Sequence, residues 1–159
     1  LEFRRVLFRS RYGLWCTRQT CLRVAPIHPS PAGDRWHRKG LEDAVTREAT
    51  DPAGQLLATF LAVESWVADG FEDCPFIVAM AEPDRKSPRR LMASTQLDAI
   101  RSFLELLADL AGLTDPAQFA MAWQMLLRGA VVGAFNGDAD AIPAAGHAAR
   151  LLLDGWGRR

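Results

Sequence analysis

One stretch constrains this chain more than any other. Residues 116–135 form a helix-length run that is apolar in every direction. Phe119, Met121, Trp123, Met125, Leu126, Leu127, Val131, Val132 and Phe135 fall on all sides of a 3.6-residue period, and Arg128 is the only charge. A helix that is apolar all round is expected to be buried all round. A membrane is one way to bury it. Residues 119–135 sit at the short end of the about 17–25 residues a span needs, and a mid-span arginine costs about 2.5–3.5 kcal/mol. A soluble core is therefore the expectation, with no membrane as a partner.

Burial on all sides demands neighbours, and the rest of the chain offers few. Proline and acidic or hydroxyl caps punctuate it at Asp51-Pro52, Ser87-Pro88 and Asp115-Pro116. A side-chain oxygen before a first-turn proline is a strong helix start. These marks predict helices over residues 36–48, 52–69, 75–82, 88–112, 116–135 and 143–154. The second is expected to bury Leu56, Leu57, Phe60, Leu61, Val63 and Val67. The fourth reads as a wet-faced helix. Ala93, Leu97, Ile100, Leu104, Leu107 and Ala111 form one stripe, and Asp98, Arg101, Glu105 and Asp109 form a charged one. No strand pattern appears from residue 36 onward. The expected fold class is all-α, a bundle of about six helices.

One side of the fifth helix can meet the second and fourth helices. The other has mainly the short sixth, so a second copy of the chain is the natural source of further apolar surface. Ala122, Leu126, Gly129 and Gly133 form a low-relief strip that permits close helix approach. Ala144, Ala148, Leu151 and Leu152 form a stripe on the sixth helix. The last two helices of two subunits are thus expected to make a dimeric four-helix bundle. The competing reading is that the glycines serve close packing within one subunit.

The front of the chain reads differently. Its net charge of zero hides a front that carries +7 over residues 1–40 (nine Arg and Lys against Glu2 and Asp34), leaving −7 for the rest. A basic arm usually suggests nucleic acid. Here residues 1–10 resemble one reading frame of a sequencing-library adapter, and such scars are set aside. Residues 11–35 lack any period of 2 or 3.6 and hold three prolines within six residues, so they are read as disordered or chimeric. Cys16, Cys21 and His28 are too loosely spaced, and lack a fourth ligand, for a zinc site. Scattered cysteines fit reduced thiols in a cytoplasmic setting. Residues 36–159 are the expected ligand-binding and dimerisation domain.

Chemistry-bearing constellations are few. His147 is expected on the polar side of the last helix, and Glu64, Asp69, Glu72 and Asp73 read as a wet corner. No nucleophile elbow or phosphate-cradling glycine loop is present. The reading is therefore of a non-enzyme with neither cofactor nor metal.

From Trp36 to Trp156 the chain resembles the C-terminal domain of TetR/AcrR-type transcriptional regulators. The marks are Asp51-Pro52, then Gln55-Leu56-Leu57, Trp66 and Cys74-Pro75-Phe76. Gly129-Ala130-Val131-Val132 and the Asn136-Gly137-Asp138 turn before an alanine-rich last helix follow. Asp73 stands where a glycine commonly precedes Cys-Pro-Phe, and Arg128 where an acidic residue is frequent. The resemblance implies a homodimer whose effector-binding domain repositions two helix-turn-helix heads, about 34–36 Å apart on the operator. DNA is then a partner only through an N-terminal domain missing from this chain. The alternative is a stand-alone helical small-molecule-binding or assembly module with no DNA role.

A ligand site in a bundle is a gap between helices, lined by aromatics and a few polar groups. Phe60, Trp66, Phe76, Met80, Phe103 and Trp123 are the candidates for an apolar or aromatic effector. Gln124 and Arg128, four apart on one helix face, could hold a polar or anionic group. Core packing alone would also account for the aromatics. Arg128 has a rival role as partner to a carboxylate such as Glu64.

Overall fold

The computed structural model describes residues 36–159; the readings of residues 1–10 and 11–35, including Cys16, Cys21 and His28, lie outside them. Each cap-then-proline device starts a helix. Asp51 accepts the Gly54 N–H at 2.8 Å and opens α2 (Pro52–Ala68). Ser87 accepts from the Arg90 N–H and opens α4 (Pro88–Leu110). Asp115 accepts from the Gln118 N–H and opens α5 (Pro116–Phe135). Before them come α1 (Arg38–Glu48) and, between α2 and α4, the short α3 (Pro75–Ala81) with Cys74 as N-cap. The last helix, α6 (Ala141–Gly155), begins two residues ahead of the proline expected to start it, and so Pro143 lies inside its first turn.

The stops are equally local. After α4 the chain turns left-handed at Gly112 (φ +73°), and the Leu113 N–H reaches back to the Ala108 carbonyl. After α5 Gly137 (φ +92°) does the same, with the Asp138 N–H on the Gly133 carbonyl. Both are six-to-one closures that satisfy carbonyls at a helix end, and both need a residue that tolerates positive φ.

The fold class is as expected: a six-helix, all-α bundle among the described residues, with no strand beyond an isolated bridge between Leu113 and Arg158. α2 is the central element and packs on α1, α4, α5 and α6. α4 packs on α5, and α5 pairs with α6 more extensively than any other two helices. One core runs through the bundle, from Trp36, Leu41 and Val45 through Leu56, Phe60 and Val63 to Leu104, Phe119, Trp123 and Leu153. No described helix is long and apolar enough to cross a membrane.

Two burial expectations are corrected, on α2 and α4. Within one chain α5 is buried on one side only. Phe119, Ala120, Trp123, Leu127, Ala130 and Val131 face the core, whereas Met121, Met125 and Phe135 are exposed. A single subunit has too few helices to surround it. On α2, Leu61 stands outside, 56% exposed, because the helix turns its buried arc toward Ala58, Thr59 and Ala62 instead. These small residues let the neighbouring helices approach. On α4, Leu97 and Ala111 are only partly buried, and Phe103 and Ala108 take core positions in their place.

Candidate functional site

The candidate effector residues separate into distinct places. Phe60 and Trp123 meet edge to face, with ring centroids 5.6 Å apart, and Phe119 stacks on Trp123 at 5.2 Å. The Trp123 indole N–H donates to the Thr59 hydroxyl at 3.1 Å, and that hydroxyl donates to the Leu56 carbonyl at 2.6 Å. All five residues are buried, so this is a fully partnered piece of core. Trp66 instead packs edge-on against Trp36, 5.2 Å away. Phe103 is buried under the Arg38 guanidinium. Phe76 is buried in α3, and Met80 on the same helix is 43% exposed.

Gln124 and Arg128 stand in different surroundings. The Gln124 side-chain amide donates to the Leu97 carbonyl at 2.6 Å and ties α5 to α4. Arg128 is exposed and forms no ion pair among the described residues, with Glu64 or with any other carboxylate.

Two open grooves indent the surface. One, of about 270 Å³, lies between the end of α2 and the α5–α6 turn, lined by Glu64, Val67, Ala134, Asp138 and Ile142 among others. The other, of about 420 Å³, runs between α2 and α6 over Leu57, Phe60 and Leu61, with Glu48, His147 and Arg150 at its rim. Of the candidate effector residues, only Phe60 lines either groove.

The outer face of α5 and α6 has the more coherent geometry. Gly133 permits the close pairing: a Cβ there would lie 2.6 Å from the Ala141 Cβ. The structure thus uses Gly133 for packing inside one chain. Gly129 differs, since a Cβ added there would meet nothing within 4 Å. Around it the surface is apolar. Met125 is 69% exposed, Met121 is exposed as well, and Ala122, Leu126 and Val132 are half-buried. On α6 the buried residues are Ile142, Ala149 and Leu153. Ala144, Ala148 and Leu151 therefore point outward, and Leu152 is half-buried against the core. The stripe expected from the sequence is an outward stripe.

Residues that sequence reasoning missed are mostly polar tethers. Thr59 is the one buried polar residue among those described, and its signal was a hydroxyl set among the apolar residues Leu56, Leu57, Ala58 and Phe60. Trp156 donates its indole N–H to the Thr114 carbonyl at 2.6 Å and stacks edge-on against Phe119, which docks the end of the chain on the α4–α5 turn. Trp36 is buried, and its indole nitrogen has no hydrogen-bond partner among the described residues. Burial also raises the Cys74 thiol to about 11, against hydrogen bonds from Ile77 and Phe76 that lower it.

No known protein family, curated protein or solved structure matches the chain.

Proposed function

We propose that residues 36–159 are the effector-binding and dimerisation domain of a ligand-responsive, cytoplasmic transcriptional repressor of the TetR/AcrR type. The observation that carries this reading is the outward apolar face of the last two helices of an all-α bundle. A solvent-facing strip with Met125 and Leu151 at 69% and 61% exposure is what a subunit interface presents when its partner is removed.

On this reading DNA is contacted only by an upstream helix-turn-helix domain. The effector is an apolar or aromatic small molecule. It enters between α2 and α5, where Phe60 and Trp123 supply apolar walls. The Phe60–Trp123 contact closes that region, so entry requires the rings to part.

Re-reading the source locus with primers that avoid the adapter tests the regulator reading. An in-frame helix-turn-helix within about 40–60 codons upstream of Trp36 is expected, the room that three short helices need. Continuous sequence without such helices would overturn it in favour of a stand-alone binding module. Light scattering tests the dimer. The expected mass is twice the 17.6 kDa of the chain, and a monomer at micromolar concentration would sink this part.

A further inference from the structure

The groove between α2 and α6 combines an apolar floor with a basic rim. Its volume of about 420 Å³ lies in the range of small-molecule sites, about 300–1,000 Å³. Leu57, Phe60 and Leu61 supply the floor. The Phe60 ring is held by its edge-to-face contact with Trp123, so that part of the floor is set by the core. Leu61 is more than half exposed, and its side chain is available to a bound molecule. On α6, His147 and Arg150 are three residues apart, hence on one face of the helix, and both line the groove. Both are exposed, and neither has an ion-pair or side-chain hydrogen-bond partner among the described residues. Glu48, the last residue of α1, lines the groove as well and pairs with neither of them.

We propose that this groove binds a small monocarboxylate with an apolar body. The chain or ring of the ligand lies over Leu57, Phe60 and Leu61, and its carboxylate is taken by Arg150, with His147 adding a hydrogen bond. A guanidinium offers parallel N–H donors that match the two oxygens of a carboxylate, and an imidazole has an N–H to donate in either tautomer. Glu48 restricts the ligand to a single negative charge, since its carboxylate would repel a dianion. The apolar floor supplies most of the affinity, because an exposed arginine–carboxylate pair contributes little in water. Binding here needs neither a dimer nor a DNA-reading domain, and so does not rest on the regulator reading.

Titration of the full 159-residue chain with octanoate, followed by ¹H–¹⁵N correlation NMR, tests the site. Saturable shifts are expected at the amides of Leu61, His147 and Arg150. Octanamide, the same chain without the charge, is expected to bind about fivefold more weakly. Butanoate, four methylenes shorter, is expected to bind about tenfold more weakly or worse. Arg150→Gln changes an exposed side chain, so folding is retained. It should bring octanoate down to the level of octanamide and leave octanamide unchanged. Leu61→Ser should weaken acid and amide alike. No saturable shift at millimolar octanoate overturns the proposal, and so do shifts centred on Met121 and Met125 of α5 instead. Equal binding of octanoate and octanamide, or an Arg150→Gln variant that binds octanoate as the parent does, overturns it as well.

Discussion

The indole N–H of Trp123 on α5 donates to the hydroxyl of Thr59 on α2, 3.1 Å away and sealed from solvent. This bond sets the rotation of the two central helices against each other. Replacing Thr59 with Val keeps the shape but leaves a buried donor without an acceptor, which costs about 1–3 kcal/mol. Thr59→Ser retains the hydroxyl and is expected to recover the hydrogen-bond part of that loss. Urea unfolding followed by far-ultraviolet circular dichroism distinguishes the two. Equal stability of Thr59→Val and the parent would show that the bond contributes nothing net.

Gly133 is the point of closest approach between α5 and α6. Gly133→Ala places a methyl 2.6 Å from the Ala141 Cβ and is expected to destabilise by about 1–3 kcal/mol despite better helix propensity. Adding Ala141→Gly removes the opposing methyl and should return most of the loss. Thermal melts of the single and double variants measure this coupling; additive effects would contradict the contact.

Asp115 combines two demands. It adopts a left-handed conformation (φ +46°) and caps the Gln118 N–H. Asn tolerates that backbone region and can also cap, so Asp115→Asn should be nearly neutral. Asp115→Ala loses the cap and keeps the strain, a loss of about 1–2 kcal/mol. The midpoint of a denaturant titration reports the order.

Cys74 makes stability depend on pH at the alkaline end. Its thiol lies near 11 in the folded protein, against an ordinary value of 9.0, because burial disfavours the thiolate. A raised folded value means that the stabilisation is complete below about 9. It declines between 9 and 11, where the unfolded chain has released a proton that the folded one holds. Cys74→Ala should flatten that decline, apart from its own packing loss. Unfolding free energies at pH 8, 9 and 10 test it, and identical slopes for variant and parent would exclude the effect. At pH 8 the native thiol should also resist alkylation until the protein is denatured.

Much of the helical framework was legible because it is written locally. Asp51-Pro52, Ser87-Pro88 and Asp115-Pro116 start helices through atoms within three residues of each other, and Gly112 and Gly137 end them through backbone freedom alone. Periodicity likewise gave most of the buried side of α4. The start of α6 falls two residues before the expected one because Pro143 is the third residue of the first turn and not the first, and the helix opens at Ala141 without a side-chain cap that would mark it.

The candidate site was much less legible. The sequence by itself determined which side chains are large and apolar, and that α5 has no wet face of its own. It could not say which of them meet. Phe60 and Trp123 share a contact 63 residues apart in the chain, whereas Trp66 pairs with Trp36 and Phe103 sits beneath Arg38. Gly129 and Gly133 are the same residue one turn apart on the same helix. Only the tertiary structure separated them, one pressed against Ala141 and one facing open space. Caps and turns act over a few bonds and so are fixed by sequence neighbours. The side of an apolar helix that is covered depends on how many other helices can reach it, and within one chain those helices reach only one side of α5.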